Sequence, residues 1–405
     1  MLPRGTDKSL FWLLTFNFIL FGASMTIFGA AIPEIIRTYA WSYSEAGVVL
    51  AAGAVGYFTS TFLLGFLLKR TGPKLLLCAT LLLEGAAFLF FARHPSVLIN
   101  VMLNFLIGFG QGGTEVVSNV VVIKMERDGK SRLMNLLHAG FCVGAFMGPV
   151  GVAGLIYSRF GWNGIFPMVG VIIIAIAGIL GMPKYPGAAR ERADDDRNSR
   201  IGRRMLIGLY VFIILLYVGI ELSMSNWSAE FFVTHLGSTS RYGALMVAAL
   251  WVGLFVGRIA LSFFYHGTRQ EIVLLWQSLV SACFILLLLL SNSQALSTVI
   301  VFFVGIGLSG VYPLVMSLVG KSSQSTVAVG FVSTGGGIGS FSFPFILALI
   351  ADSVGLHRAF YFCFGVAIAM VLLTLVVVFL RRPMLDALKT KPGRQQLGEI
   401  QQSKD

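Results

Sequence analysis

Residues 107–124 read IGFGQGGTEVVSNVVVIK, an apolar run long enough to lie in a membrane that nonetheless carries an acid and two amides. Gln111, Glu115 and Asn119 are spaced four apart, which puts them on one helical face. A carboxyl group at the middle of a membrane helix costs about 2.5–3.5 kcal/mol on insertion scales, and it is tolerated where it faces a protein interior or a water-filled cavity. A buried acid held by a neighbouring helix would meet that condition with no role in turnover. Three polar groups on one face point further, to the lining of a solute pathway.

The rest of the chain sets the class. Of 405 residues, 56% are hydrophobic and only 12% charged, and the mean hydropathy is +0.84, outside the range of a soluble domain. In a bilayer all backbone groups must be satisfied inside helices or a closed barrel, and long unbroken apolar runs indicate helices. Twelve runs fit, at 10–32, 45–68, 75–92, 97–123, 133–157, 162–182, 205–227, 241–264, 271–290, 296–319, 326–350 and 358–380. Each is near the ~20 residues that a ~30 Å hydrocarbon core requires. The expected fold class is an all-α membrane protein of twelve transmembrane helices.

A net charge of +12 would raise nucleic acid as a partner for a soluble protein. Here position decides. With the N-terminus inside, 24 Lys and Arg fall in cytoplasmic segments and 5 in outer ones, with Arg258 inside a run, as the positive-inside rule expects of a multi-pass protein with both termini cytoplasmic. The basicity is topology, and no nucleic acid is expected. The first run is too long for a signal-peptide core and lacks a cleavage site, so it reads as a retained span in the cell (inner or plasma) membrane. Cys78, Cys142, Cys283 and Cys363 all lie in apolar runs and read as packing residues, with no metal site or cofactor implied.

An internal repeat organises the runs. Gly140–Gly151 and Gly335–Ile346 both place Gly five residues before Pro, at Gly144 and Pro149 and at Gly339 and Pro344, and the two prolines are 195 apart. This implies two six-helix halves. The expected divisions are 1–182 for an N-terminal bundle, 183–204 for a charged cytoplasmic linker, 205–382 for a C-terminal bundle and 383–405 for a polar, disordered tail.

Residues 65–74, GFLLKRTGPK, resemble the cytoplasmic loop signature of the major facilitator superfamily, with Lys69 where that family usually has Asp before the Arg. Within it, GFGQGGTEVVSN from Gly108 and LYVGIELSMSNW from Leu216 resemble the fucose, galactose and glucose proton symporter family, as do Tyr312–Pro313, Gly335–Gly337 and Asn135–His138. The resemblance implies the major facilitator fold and carries over Glu115, Asn119, Glu221, Asn226 and Trp227. One departure is large: fucose-transporting members place an Asp four residues before a Pro in the first helix, and here that position relative to Pro33 is Gly29. The second acid is then expected from Glu221, in the repeat counterpart of the first helix.

The expected function is a secondary active transporter, taking up a sugar or similar small neutral polar solute with H+ by alternating access, as a monomer. Glu115 and Glu221 are the expected proton-coupling groups. Gln111, Asn119, Asn17, His138, Asn226, Trp227 and Tyr312 are the expected solute-binding groups. A protonated carboxyl both donates and accepts hydrogen bonds, amides and imidazole suit a polyol, and Trp227 offers an apolar plate for a sugar ring, although it also fits an interfacial anchor. Arg258 reads more readily as snorkelling or pairing with an inner-loop group than as an anion site, and Glu84 has no assigned role. The alternative within transport is a proton-driven efflux antiporter for amphipathic compounds or lipids, because Gly144–Pro149 has the Gly-x-x-x-Gly-Pro form found in antiporters of the superfamily. An enzyme is not expected: no nucleophile with its base, metal cluster or nucleotide loop is present in the sequence. The two-half repeat also disfavours a channel.

Overall fold

The computed structural model describes residues 8–125, 132–185, 201–264, 269–322 and 326–389. Among the described residues there are thirteen α-helices and no strands: α1 (Lys8–Tyr39), α2 (Tyr43–Thr71), α3 (Pro73–Phe90), α4 (Val97–Met125), α5 (Arg132–Leu155), α6 (Ile165–Leu180), α7 (Ile201–Leu236), α8 (Ser240–Phe264), α9 (Gln270–Leu290), α10 (Gln294–Leu308), α11 (Val311–Ser322), α12 (Thr326–Val354) and α13 (Leu356–Lys389). They supply twelve candidate spans, because α10 and α11 are the two halves of one. Most helices overrun the apolar runs that announce them: α1 continues to Tyr39, α7 starts at Ile201 and α13 extends through Pro383 to Lys389. Hydropathy marks only the part of a helix inside the hydrocarbon, and the helical ladder continues past it. Of the linker, residues 186–200 lie outside the described residues, as do tail residues 390–405.

The packing repeats itself. In the first half α1 lies on α5, α2 on α4, and α3 on α4 and α6; in the second, α7 lies on α12, α8 on α10, and α9 on α10 and α13. The two six-span bundles therefore have the same internal neighbours. They meet along three seams, α2 against α12, α5 against α8 and α1 against α7. With an even number of spans, the first and last helices leave the membrane on the same side, here termed the terminus end; the other is the far end.

Close approach of backbones decides several contacts. In lipid there is no hydrophobic drive between helices, so small residues that permit van der Waals contact and polar groups that bridge helices carry the association. At Gly108 a Cβ would collide with the Gly53 carbonyl of α2, and Asn104, one turn earlier on α4, donates its Nδ2 to the Val49 carbonyl at 2.6 Å. Turns are equally local. Ser42 and Glu45 form a capping box at the start of α2, and α3 begins at Pro73 directly after Gly72, whose φ of 80° is open to glycine.

The tenth span breaks at Ser309 and Gly310, and Pro313 contributes to the break. A proline has no N–H, so the carbonyl four residues back, that of Ser309, loses its ladder partner. Ser309 O instead accepts from Arg258 Nε at 3.4 Å, and the Gly310 N–H donates to Gln277 Oε1 at 3.2 Å. Irregular backbone at membrane depth persists where protein groups satisfy it in this way.

The α2–α4 seam gives a direct test. Gly108→Val should lower thermal stability by about 1–3 kcal/mol, the usual cost of overpacking. Gly154→Val, where a Cβ would meet nothing within 4 Å, should leave it unchanged. Thermal unfolding of the two purified variants in detergent checks both, and equal midpoints would remove close backbone approach as the reason for the glycine.

Candidate functional site

The face of α4 that carries three polar groups splits in the folded chain. Gln111 is buried, and its Nε2 donates to Ser24 Oγ on α1 at 3.0 Å. Ser24 Oγ in turn lies 3.2 Å from Glu84 Oε1 on α3, its hydroxyl shared with the Phe21 carbonyl at 3.0 Å. Gln111, Ser24 and Glu84 are thus one network inside the first bundle, which gives Glu84 its partner. Glu115 and Asn119 are different. Both are half-buried, and no hydrogen bond or ion pair to Glu115 exists among the described residues. The Oδ1 of Asn119 is likewise without a partner.

The second bundle brings a matching set of groups to the seam. Tyr217 on α7 donates its hydroxyl to Glu221 Oε1 at 2.6 Å, four residues along the same helix. Arg258 on α8 brings Nη2 to 3.7 Å from that oxygen. Its Nη1 lies 3.3 Å from Cys142 Sγ on α5, so this guanidinium touches both bundles. Arg258 therefore pairs with an acid at membrane depth. Tyr312, on α11 just past the break, is 36% exposed, with its ring 6.4 Å from that of Tyr217 and within electrostatic reach of Glu115, Glu221 and Arg258. His138 on α5 is exposed, stands edge-on to Phe18 at 5.4 Å and is within electrostatic reach of Arg258.

The remaining candidates lie elsewhere. Asn17 on α1 is 1% exposed with its Nδ2 unpartnered. Asn226 is buried where α7 crosses α1: a Cβ on Gly29 would come within 2.7 Å of the Asn226 Cα and 2.6 Å of the Ser225 carbonyl. Trp227 is fully buried, donates Nε1 to the Pro344 carbonyl at 3.1 Å and packs edge-on against Tyr43 of α2 at 5.8 Å. Asn226 and Trp227 thus sit in the closed packing of the far end. Glu115, Asn119, His138 and Tyr312 lie nearer the terminus end and are less completely buried, with Tyr312 within electrostatic reach of Glu115.

Sequence reasoning passed over Tyr217, Ser309 and the partner of Arg258. The signal was available for one of them, since Pro313 identifies Ser309 O as a carbonyl in need of a donor. Among the described residues no group of three or more His, Cys, Asp or Glu has the geometry to hold a metal ion.

Comparison with known proteins places this arrangement. The family model described as Major Facilitator Superfamily matches residues 14–327. An uncharacterised MFS-type transporter of Yersinia pestis is 24% identical over 352 residues, covering 85% of this chain and 89% of that protein. The glucose/mannose transporter GlcP of Bacillus subtilis is 21% identical over 341 residues, covering 77% and 82%. Among solved structures, a bacterial homologue of the human lysosomal transporter Spinster, in an inward-facing and unoccupied conformation, superposes with a TM-score of 0.70 at 14% identity, covering 93% of this chain and 96% of that one. The nucleoside transporter NupG gives 0.69 at 12% identity, covering 91% and 98%. With a family model spanning most of its length and twelve apolar helices in two like bundles, the chain belongs to the major facilitator superfamily and is a multi-pass membrane transporter.

Proposed function

We propose that this transporter takes up a sugar or similar small neutral polar solute together with H+, by alternating access, with both termini on the cytoplasmic side of the cell membrane. The observation that carries this reading is the carboxyl of Glu115, which is at membrane depth in a half-buried residue and has no hydrogen bond or ion pair among the described residues. A membrane acid with neither cation nor hydrogen-bond donor is costly as fixed structure and useful as a group that exchanges a proton or receives a ligand hydroxyl. Asn119, His138 and Tyr312 add an amide, an imidazole and a phenol, each able to pair with hydroxyls, and the Tyr312 ring supplies an apolar plate.

The charge already present supports a neutral solute. Arg258 is matched by Glu221, and its other edges meet the Ser309 carbonyl and the Cys142 sulfur. An anionic solute would have to displace Glu221 from that cation, whereas a polyol needs only the unspent groups. Glu221, held by Tyr217 and Arg258 in this state, serves as the counter-charge of Arg258, and the coupling proton is assigned first to Glu115. Sugar transport by GlcP and by the mouse relative named sodium-dependent glucose transporter 1A, 21% identical over 398 residues, supports the solute class. The cytoplasmic position of the termini rests on the excess of Lys and Arg in the segments on that side.

Uptake into proteoliposomes under an imposed pH gradient, across a panel of neutral sugars, tests the reading directly. Uphill accumulation of at least one sugar is expected, and its loss with a collapsed gradient. Accumulation of none of them, or pH-driven extrusion of an amphipathic dye, would replace the reading with that of an efflux antiporter.

Two variants follow from the same geometry. Glu115→Gln keeps the shape and hydrogen-bonding of a protonated acid but cannot exchange a proton. It should lose gradient-driven accumulation while retaining solute counterflow, and uphill transport at the parental level would exclude Glu115 as the coupling group. At the pair, removing one partner of a buried salt bridge leaves an uncompensated charge, which costs about 3–5 kcal/mol. Since Arg258 is partly exposed, the smaller end of that range is expected. Arg258→Gln alone should therefore be less stable than the Glu221→Gln/Arg258→Gln double variant. Additive losses in thermal unfolding would show that the two side chains are not paired.

A further inference from the structure

Helix α2 begins at the far end with its own cap complete. The Glu45 N–H donates to Ser42 Oγ at 3.2 Å, and the Ser42 N–H donates to Glu45 Oε2 at 2.8 Å. A capping box of this kind leaves the N–H groups of the first two helical residues, Tyr43 and Ser44, which usually turn to water. Here they do not. Tyr43 N–H donates to Asp352 Oδ1 and Ser44 N–H to Asp352 Oδ2, each at 2.8 Å, across 309 and 308 residues of sequence. Both oxygens of one carboxylate, at the end of α12 in the second bundle, therefore cap a helix of the first. Charge-assisted hydrogen bonds to a helix N-terminus are favoured further by the helix dipole.

Tyr43 extends the same contact. Its hydroxyl donates to Glu230 Oε1 of α7 at 3.3 Å, and its ring packs on Trp227, whose indole is fastened to the Pro344 carbonyl of α12. One turn into α2, a Cβ on Gly47 would lie 2.6 Å from the Ala348 Cβ. All of these contacts except Trp227 to Pro344 join one bundle to the other. The corresponding end of α5, Leu155-Ile156-Tyr157-Ser158, carries no acid, and α8 starts on the side chain of its own Thr239, which accepts from the Tyr242 N–H at 3.2 Å. The repeat architecture thus does not require the carboxylate.

Alternating access has a consequence for these bonds. When the bundles part at the far end, the Asp352 and Glu230 bonds break, while the Ser42–Glu45 box, internal to one helix, persists. The stability of α2 is then nearly independent of state, and the Asp352 contribution exists in one state only. We propose that Asp352 is a state-selective latch, holding the far end closed through the first two amides of α2 and so setting how often the solute site opens there.

The inference rests on alternating access and on neither the sugar nor the proton proposed above, and it can be tested without any solute. Hydrogen–deuterium exchange with mass spectrometry on the full chain in nanodiscs reads far-end opening on α1 and α7 where they cross, at Gly29, Ser225 and Asn226, which do not touch Asp352. Asp352→Ala should raise exchange there about five- to tenfold, the size expected for losing a charged cap. Glu45→Ala, which removes only the box inside the first bundle, should raise exchange in residues 42–46 and leave the crossing unchanged. An Asp352→Ala effect confined to residues 43–46 would reduce Asp352 to a local cap and overturn the latch. If Asp352→Ala loses protection everywhere, Asp352→Asn decides: a rise at the crossing supports the latch, and none overturns it.

Discussion

In hydrocarbon a polar group has no water to fall back on, so its partner must be another part of the protein. The structure can be read as the record of where those partners were found. Ser309 O, stripped of its ladder bond by Pro313, takes a donor from Arg258; Asn104 takes the Val49 carbonyl; Gln111 reaches Glu84 through Ser24. Each of these fixes one helix against another and leaves nothing for a ligand. On the same helix as Gln111 and Asn104, Glu115 and the Oδ1 of Asn119 have no such partner, and neither do the fully buried hydroxyls of Thr114 and Ser118. Lack of a partner together with incomplete burial distinguishes Glu115 and Asn119 from the groups that build the fold.

That separation explains how the two bundles can hold together yet move. The bonds within each bundle are numerous and buried, while the seams between bundles rest on small residues and on a few polar contacts at defined levels. At the far end those contacts are complete, with Tyr43, Trp227, Glu230 and Asp352 interlocked. Nearer the terminus end the polar groups are less completely packed: Glu115 is half-buried, and Tyr312 and His138 are exposed. Between these levels, the contact of Arg258 with Cys142 crosses from one bundle to the other.

Fold and site were unequally legible in the sequence. Spans are a one-dimensional property, since twenty apolar residues are enough to cross a bilayer, and the glycine and proline spacing repeated at 195 residues exposed the two halves. The helix break at Ser309 and Gly310 was not visible in hydropathy, which stays high through it, although Pro313 identified the carbonyl that would need a donor. Site membership was harder, because helical periodicity says which residues share a face and not what that face meets. Gln111 and Glu115 lie one turn apart on one stripe, yet the first is spent on Ser24 and the second is open. Trp227 shows the same limit: an indole near the end of a span suits a sugar plate, an interfacial anchor or a gate, and only its contacts with Tyr43 and Pro344 separate these uses.

Gly29 joins the sequence to the mechanism. Where fucose-transporting members of the family that its motifs resemble carry an acid in the first helix, this chain carries the glycine at which α1 crosses α7, and a Cβ there would press on the Ser225 carbonyl and the Asn226 Cα. A carboxylate at this position and the closed crossing seen here exclude each other on steric grounds. The crossing is part of the far-end closure, so the glycine trades an acid in the pathway for a tighter seal between the bundles. The second bundle carries an acid on α7, Glu221, and there it comes with its own cation, Arg258. A chain built this way keeps the Glu221 acid neutralised inside one bundle, while the half-buried carboxyl of Glu115 has neither a hydrogen bond nor an ion pair among the described residues.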